Sequence, residues 1–363
     1  MDAKQILSEV KTISAIELNL VVKTYLGSSE PAVKGISLSV DSGSIVTLLG
    51  PSGCGKTTTL RLIAGFERAD SGEIKLAGKV VSDMSTWVPP ERRGIGMVFQ
   101  DYALFPHLNV RDNIGFGCKS HQRAERIREI LALVDLTGLE NRYPHELSGG
   151  QQQRVALGRA LAPHPVVVLL DEPFSNLDAD LRAQMRLEVK QIITAAGATA
   201  VLVTHDQRDA LSISDQIVVM RDGRVEQIGS PRDVYQHPES RFVAMFVGDS
   251  NIIPGIIGPD TKSIETTLGL VPCNHTHDLP PGQPVYLSIR PESIELTSEG
   301  SVEGVVESLS YTGQSVDVKI RVDQGVNPAL ILLAHLHPEE KVQRGDKLHF
   351  RIMPDFVAVI REH

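Results

Sequence analysis

Residues 44 to 64 run Ser44-Ile45-Val46-Thr47-Leu48-Leu49, Gly50-Pro51-Ser52-Gly53-Cys54-Gly55-Lys56-Thr57-Thr58, Thr59, and Leu60-Arg61-Leu62-Ile63-Ala64. A β-branched, apolar run enters a glycine-rich loop, and a helical pattern leaves it. The spacing of Gly50, four residues, then Gly55-Lys56-Thr57 is that of a phosphate-binding loop. Small residues let consecutive N–H groups curl around a phosphate, and the following helix turns its positive end to the anion. Lys56 can then reach the β- and γ-phosphates, and the Thr57 hydroxyl can ligate Mg²⁺. An ordinary strand-to-helix turn would need neither this spacing nor these flanks. Cys54 reads as a spacer within the loop, where alkylation should block nucleotide entry.

Working outward, 363 residues exceed one comfortable core, so two domains are expected. Apolar residues at 41% and charged residues at 22% fit a soluble globular chain. With 45 acidic against 36 basic residues, the net charge is −9. That balance argues against nucleic acid as a partner, because phosphate backbones are held through excess Lys and Arg. The longest obvious apolar run, Val166 to Leu170, suits a buried strand, so any membrane role is expected to be peripheral. Met1-Asp2-Ala3-Lys4-Gln5 does not open a secretory signal, and three scattered cysteines fit a reducing cytosol.

Upstream of the loop, Ala15 to Tyr25 and Ile36 to Val40 read as strands of an antiparallel flap. Tyr25 could stack on a base or cap a strand edge. Downstream, Gly94 to Gln100 is a buried-strand pattern ending in an amide, where an open parallel sheet meets its ligands. Tyr102 to Leu108 is apolar and aromatic, and reads as loop packing or an exposed docking patch. Arg123 to Leu136 carries Ile127, Ile130, Leu131 and Val134 at helical spacing, so a helical insert interrupts the α/β pattern.

Ser148-Gly149-Gly150-Gln151 then opens another helix. It reads as a second anion site, against a simple N-cap at Ser148. Val166 to Leu170 ends in Asp171-Glu172. Adjacent buried acids are unfavourable unless a cation and a reaction use them: Asp171 can hold Mg²⁺ through water, and Glu172 can deprotonate an attacking water. Ala198 to Val203 delivers Thr204-His205-Asp206 to the same rim as Lys56, Gln100 and Glu172.

With Gln100, Leu147 to Gln151, Asp171-Glu172, Asp178 and His205 following the phosphate loop in order, the chain resembles the ATP-binding-cassette ATPases from about residue 15 to 235. The resemblance implies a P-loop α/β cassette with an antiparallel flap and a helical subdomain at about 101–155. ATP and Mg²⁺ are the expected ligands, with Tyr25 on adenine and Gly50, Pro51, Ser52, Gly53, Cys54, Gly55, Lys56, Thr57 and Thr58 around the nucleotide. It further implies Thr57, Gln100 and Asp171 toward Mg²⁺, Gln100 sensing the γ-phosphate, Glu172 as base, and His205 positioning water. Leu147, Ser148, Gly149, Gly150 and Gln151 would serve the nucleotide of a facing subunit, with Asp178 in the adjoining loop. Two anion sites in one chain then close on ATP across a two-fold dimer.

After about residue 238 the composition shifts to strands between Gly and Pro turns, including Val285 to Arg290, Val302 to Leu309, Val316 to Val322, Ala329 to Leu333, Lys347 to Ile352 and Phe356 to Ile360. A small OB-like barrel over 239–363 is expected, following a cassette over 1–238. Ser288-Ile289-Arg290-Pro291-Glu292 and Tyr311-Thr312-Gly313 resemble the accessory TOBE domain of importer ATPases of the maltose, polyamine, sulfate, molybdate and ferric-iron types. The implied assembly is a homodimer on the cytoplasmic face of the membrane. It would bind two permease subunits and act indirectly with a periplasmic or lipid-anchored solute-binding protein. Arg142 to Leu147 and Pro173 to Asp180 look most like ferric-iron importers, although many of those carry Ala at the position of Asn176.

Cys273-Asn274-His275-Thr276-His277 places soft ligands at alternate positions, and His335 and His337 lie further on, but four protein ligands are not evident. A chromosome or translation factor of the same superfamily is the rival reading. No coiled-coil insertion or second cassette supports it. A C-terminal domain acting chiefly as a regulatory module is another.

Overall fold

The segment Ser14–Lys23 (β1) buries Ala15, Ile16, Leu18 and Val21 and pairs antiparallel, with irregular register, with Val33–Asp41 (β2). The central sheet begins with Ile45–Leu49 (β3), all five residues buried, which feeds the phosphate loop and the helix Lys56–Ala64 (α1). Ser71–Leu76 (β4) and Lys79–Ser82 (β5) complete an antiparallel sheet of order β2-β1-β4-β5. These are the flap strands.

The chain then runs through Ile95–Val98 (β6) into three helices: Val110–Ile114 (α2), Arg123–Leu133 (α3) and Gly149–Leu161 (α4). Val134 lies just past the end of α3 but is fully buried in the same core as Ile127, Ile130 and Leu131. Next come Val167–Asp171 (β7), Ala179–Ala195 (α5), Ala200–Thr204 (β8), Gln207–Ile213 (α6), Gln216–Arg221 (β9) and Arg224–Gly229 (β10). Asp222 and Gly223, both with positive φ, close the β9–β10 hairpin.

This computed structural model describes residues 14–119, 123–273, 279–298, 300, 302–323 and 329–361. Its six-stranded sheet has the order β10-β9-β3-β8-β7-β6, parallel except for β10. The runs of β3, β7 and β8 are almost continuously apolar because a parallel sheet is covered on both faces. Neighbours β3, β8, β7 and β6 lead at their carboxyl ends into the phosphate loop, the His205 turn, Asp171-Glu172 and Gln100. Strand order alone therefore sets His205 between the loop and the acid pair.

By its internal contacts the chain divides into two compact units, Met1–Pro231 and Arg232–His363. Around the start of the second lie the short helices Pro231–Gln236 (α7) and Arg241–Phe246 (α8). Two antiparallel five-stranded sheets follow. One has the order β13-β12-β11-β14-β20, from Asn251–Ile257 (β11), Ser263–Thr266 (β12), Gly269–Pro272 (β13), Pro284–Ile289 (β14) and Val357–Arg361 (β20). The other has the order β15-β19-β16-β17-β18, from Ile294–Leu296 (β15), Val302–Tyr311 (β16), Val316–Val322 (β17), Leu330–Leu336 (β18) and Lys347–Ile352 (β19). Inward positions of β17 and β19 join one core, which makes this the OB-like all-β domain.

Arg290, at the end of β14, is only 1% exposed. Its guanidinium donates to the carbonyls of Tyr235, Ala244, Gly248 and Asp249, and it stacks on the Tyr235 ring at 4.1 Å. Burial lowers the Arg290 pKa. The Tyr235 hydroxyl donates to Glu292 Oε1 at 2.8 Å, and its pKa is pushed up to about 12, first by burial and then by that bond. A side chain at Gly248 would bring a Cβ to 2.8 Å from the Tyr235 ring. The Ser288 to Glu292 run thus binds α7, α8 and the β-domain into one unit.

Candidate functional site

The phosphate loop folds tightly because two of its glycines have no room for a side chain. A Cβ on Gly50 would meet Met220 O at 2.4 Å and Cys54 Sγ at 2.6 Å; on Gly55, with φ +102, it would meet Ala32 O at 2.4 Å. The buried Cys54 thiol packs beneath the loop as a spacer, and burial raises its pKa. Lys56 is 5% exposed, and its Nζ donates to Gly50 O at 2.7 Å and Pro51 O at 2.9 Å. The ammonium is thereby held over the loop that would cradle a phosphate. Ser52 and Gly53 form the exposed tip, while Thr57 and Thr58 are half-buried at the start of α1.

The Thr57 hydroxyl donates to Asp171 Oδ1 at 3.3 Å, joining the end of β7 to the phosphate helix. Burial pushes the Asp171 carboxyl up, with the Thr57 bond opposing and the neighbouring Glu172 charge adding to the rise. A carboxylate and a hydroxyl from hard oxygen donors, in a setting that penalises the bare charge, suit a divalent cation of the Mg²⁺ type.

Glu172 adopts φ 46, a left-handed conformation uncommon outside glycine, and its N–H donates to Val203 O at 3.0 Å. Its Oε2 lies 3.2 Å from Nδ1 of His205, which is 55% exposed at the end of β8. The backbone therefore aims the carboxylate across to the neighbouring strand. Gln100 is exposed two residues beyond β6, and its carbonyl accepts from Asn176 Nδ2 at 2.9 Å. That bond ties the turn after Gln100 to the loop after the acid pair. Sequence reasoning singled out both residues without foreseeing the link.

Tyr25 follows β1 in the flap, 36% exposed, with its hydroxyl 3.5 Å from Thr58 Oγ1 and Lys23 Nζ 5.6 Å from its ring centroid. It stands beside the start of the phosphate helix as a partly exposed aromatic ring.

At the start of α4 the hydrogen bonds are local. Ser148 is the N-cap of α4 in a reciprocal capping box: its Oγ accepts from Gln151 N at 3.4 Å, and its N–H donates to Gln151 Oε1 at 3.0 Å. Gly150 is buried and closely packed: a Cβ there would lie 3.1 Å from Met185 Sδ, so the methionine would have to shift slightly to admit it. Leu147 turns its side chain into the core, whereas Ser148 and Gly149 are exposed. Asp178 caps α5 through Leu181 N at 2.9 Å.

Within Tyr102 to Leu108, Tyr102 is buried and takes no part in any surface patch, while Pro106 and His107 are exposed. Asn113 pins this loop through Phe105 N and through the carbonyls of Phe105, Leu108 and Asn109. Phe105 packs on the exposed Phe116 at 4.4 Å, with the Arg159 guanidinium 5.2 Å from its ring.

In the C-terminal unit, Cys273 is buried with its thiol toward Val357 O, and residues 274–278, including His275 and His277, lie outside the described residues. His335 stands 3.8 Å from Asp317, and His337 Nδ1 accepts from Glu339 N. Among the described residues no group of three metal-ligating side chains forms, and no helix is long and apolar enough to cross a membrane.

A phosphate loop with an acid pair and a histidine on neighbouring parallel strands defines a P-loop nucleoside-triphosphate hydrolase. The profile of the ABC transporter family matches residues 33–175, and that of the TOBE domain matches residues 287–360. The spermidine/putrescine import ATP-binding protein PotA of Oleidesulfovibrio alaskensis is 47% identical over 307 residues, covering 80% of this chain and 81% of its own. The Fe(3+) ions import ATP-binding protein FbpC of Pseudomonas fluorescens is also 47% identical, over 85% of this chain and 88% of its own. PotA of Ruegeria pomeroyi is 42% identical over 98% of both. Among solved structures, the dimeric post-hydrolysis state of the cassette MJ0796 bound to ADP and Pi is similar with a TM-score of 0.51 and 33% identity, over 60% of this chain and 99% of that one. CbiO1 of Clostridium perfringens, part of the transporter complex cbiONQ, reaches 0.56 at 28% identity, over 61% and 90%. The chain belongs to the ABC transporter family, as an importer ATPase subunit with a C-terminal TOBE domain.

Proposed function

We propose that two copies of this chain close on two ATP molecules at the cytoplasmic face of a membrane and drive two permease subunits. The observation that carries this reading is the shared rim: Lys56 over the loop, Thr57 bonded to Asp171, and His205 beside Glu172. Thr57 and Asp171, with Gln100, would hold Mg²⁺, which when bound neutralises charge on the β- and γ-phosphates. Lys56 binds and orients the phosphates, and Tyr25 offers its ring to the adenine. Glu172 accepts the proton of the attacking water, and His205 fixes the carboxylate and the water.

Ser148 to Gln151 would complete the partner's site, since a helix start with exposed N–H groups favours an anion. The dimeric cassettes among the similar structures support that pairing. The exposed Phe116, with the half-buried Phe105 packed on it and Pro106 and His107 exposed beside it, is the docking patch for a permease segment.

For the cargo, the Arg142 to Leu147 run supports ferric iron, and relatives named for spermidine and putrescine import favour polyamine as the second reading. A solute-binding protein outside the membrane would select it. In a strain lacking this chain, uptake of radiolabelled ferric iron is expected to fall to background and to return with the gene. Unaltered iron uptake with lost spermidine uptake would transfer the cargo to polyamine.

A further inference from the structure

His205 stands in a three-residue turn that two arginines of one helix grip from the same side. Thr204 is buried; its hydroxyl donates to Asp209 Oδ2 at 3.0 Å and accepts from Asp206 N at 3.0 Å. Asp209, 3% exposed, is paired with Arg186 Nη1 at 2.8 Å. On the other flank of His205, Asp206 Oδ2 meets Arg182 Nη1 at 3.3 Å, while Asp206 Oδ1 accepts from Arg208 N and caps α6. Arg182 and Arg186 are four residues apart on α5 and so share one face. The second arm of Arg182, Nη2, donates at 3.1 Å to Leu177 O, beside the N-cap Asp178. Its Nε has no partner among the described residues. These two bonds therefore define the guanidinium's engagement.

The two ion pairs differ in kind. Arg186–Asp209 is buried, and losing one partner would leave an uncompensated charge inside the fold. Arg182–Asp206 is partly open, at 28% and 26% exposure, where an isolated ion pair contributes little to stability. Its position, one residue from His205, makes geometry its consequence.

We infer that Arg182 is a positioning residue for hydrolysis: through Asp206 and the Leu177 carbonyl it holds the Thr204–Asp206 turn in register with the start of α5, and so sets His205 against Glu172. This rests on the proposed roles of His205 and Glu172. Small displacements of a group that orients reactants cost rate rather than affinity.

Arg182→Met in the full chain is expected to lower kcat about tenfold while KM for ATP stays within about twofold. Asp206→Asn, which keeps the oxygen that caps α6, is expected to give the same split. The double variant is expected to fall no further than either single one, because both remove one interaction. Arg182→Lys, which keeps the charge opposite Asp206 but not the two-armed bond, is expected to recover part of kcat. A merely structural role would lower the melting temperature and the active fraction without this non-additive split. Unchanged kcat in Arg182→Met or Asp206→Asn, a KM that rises as kcat falls, or additive losses would overturn the inference. If Arg182→Met does not fold, Asp206→Asn alone decides by the same criteria. His205→Ala is measured alongside: if it hydrolyses ATP normally, the reading of the site fails, whereas an inactive His205→Ala with a normal Arg182→Met sinks this inference alone.

Discussion

Glu172→Gln is expected to cut ATP hydrolysis on the order of a thousandfold and to leave ATP binding intact. Glutamine has the shape of the glutamate and can still meet His205, yet it cannot take a proton from water. The backbone around the residue should not move, because Glu172 is fixed by its N–H to Val203 O and by the Ser175 N–H and hydroxyl on its own carbonyl. Nucleotide contacts at Lys56 and Thr57 lie on other elements and are untouched. Released phosphate and filter-retained nucleotide, measured on one preparation, separate the two effects. Turnover comparable with the unaltered chain would remove Glu172 as the base.

Arg290→Met should have the largest effect on stability. The substitution removes the donor to four carbonyls, those of Tyr235, Ala244, Gly248 and Asp249, and puts a side chain of similar length in its place. A buried carbonyl left without a donor costs on the order of 1–3 kcal/mol; the Ala244 bond is buried and the other three are partly buried and lose less, so a loss of about 3 kcal/mol is expected for the C-terminal unit. The cation over Tyr235 is lost as well, while the Tyr235–Glu292 bond persists. Urea unfolding of the full chain, followed by a probe in each unit, is expected to show the Arg232–His363 transition moved to lower denaturant and the other unmoved. Coincident, unshifted transitions would mean that the guanidinium is replaceable there.

Most of the cassette was legible in the sequence because its strands are short apolar runs whose carboxyl ends carry the chemistry. Val46 to Leu49, Leu169-Leu170 and Leu202-Val203 are buried on both faces, and the residues that succeed each run are polar for a reason that phosphate chemistry supplies. The parts that escaped depend on partners far apart in the chain. Arg182 and Asp206 are separated by a helix and a strand, and Arg290 meets backbone carbonyls that no residue type announces. β12 and β13 are four residues each, one carrying Gly and Pro, and give no periodicity. The glycines after Ser148 differ from each other in setting. They read as a device for anions; in the structure Gly149 is exposed beside Ser148, whereas Gly150 is buried and packs closely on Met185, a contact no residue type announces.

In the proposed assembly each ATP site is shared between Gly50 to Thr58 of one chain and Ser148 to Gln151 of another. This sharing is tested by sedimentation of the Glu172→Gln chain with and without ATP, compared with the same chain carrying Ser148→Arg. Losing the Ser148 cap costs only about 1 kcal/mol, so the second variant is expected to fold and to bind ATP. Glu172→Gln should become a dimer when ATP is added, and the Ser148→Arg form should stay monomeric with its nucleotide bound. A Glu172→Gln chain that remains monomeric at saturating ATP, or a Ser148→Arg form that dimerises as well as its parent, would contradict the shared site.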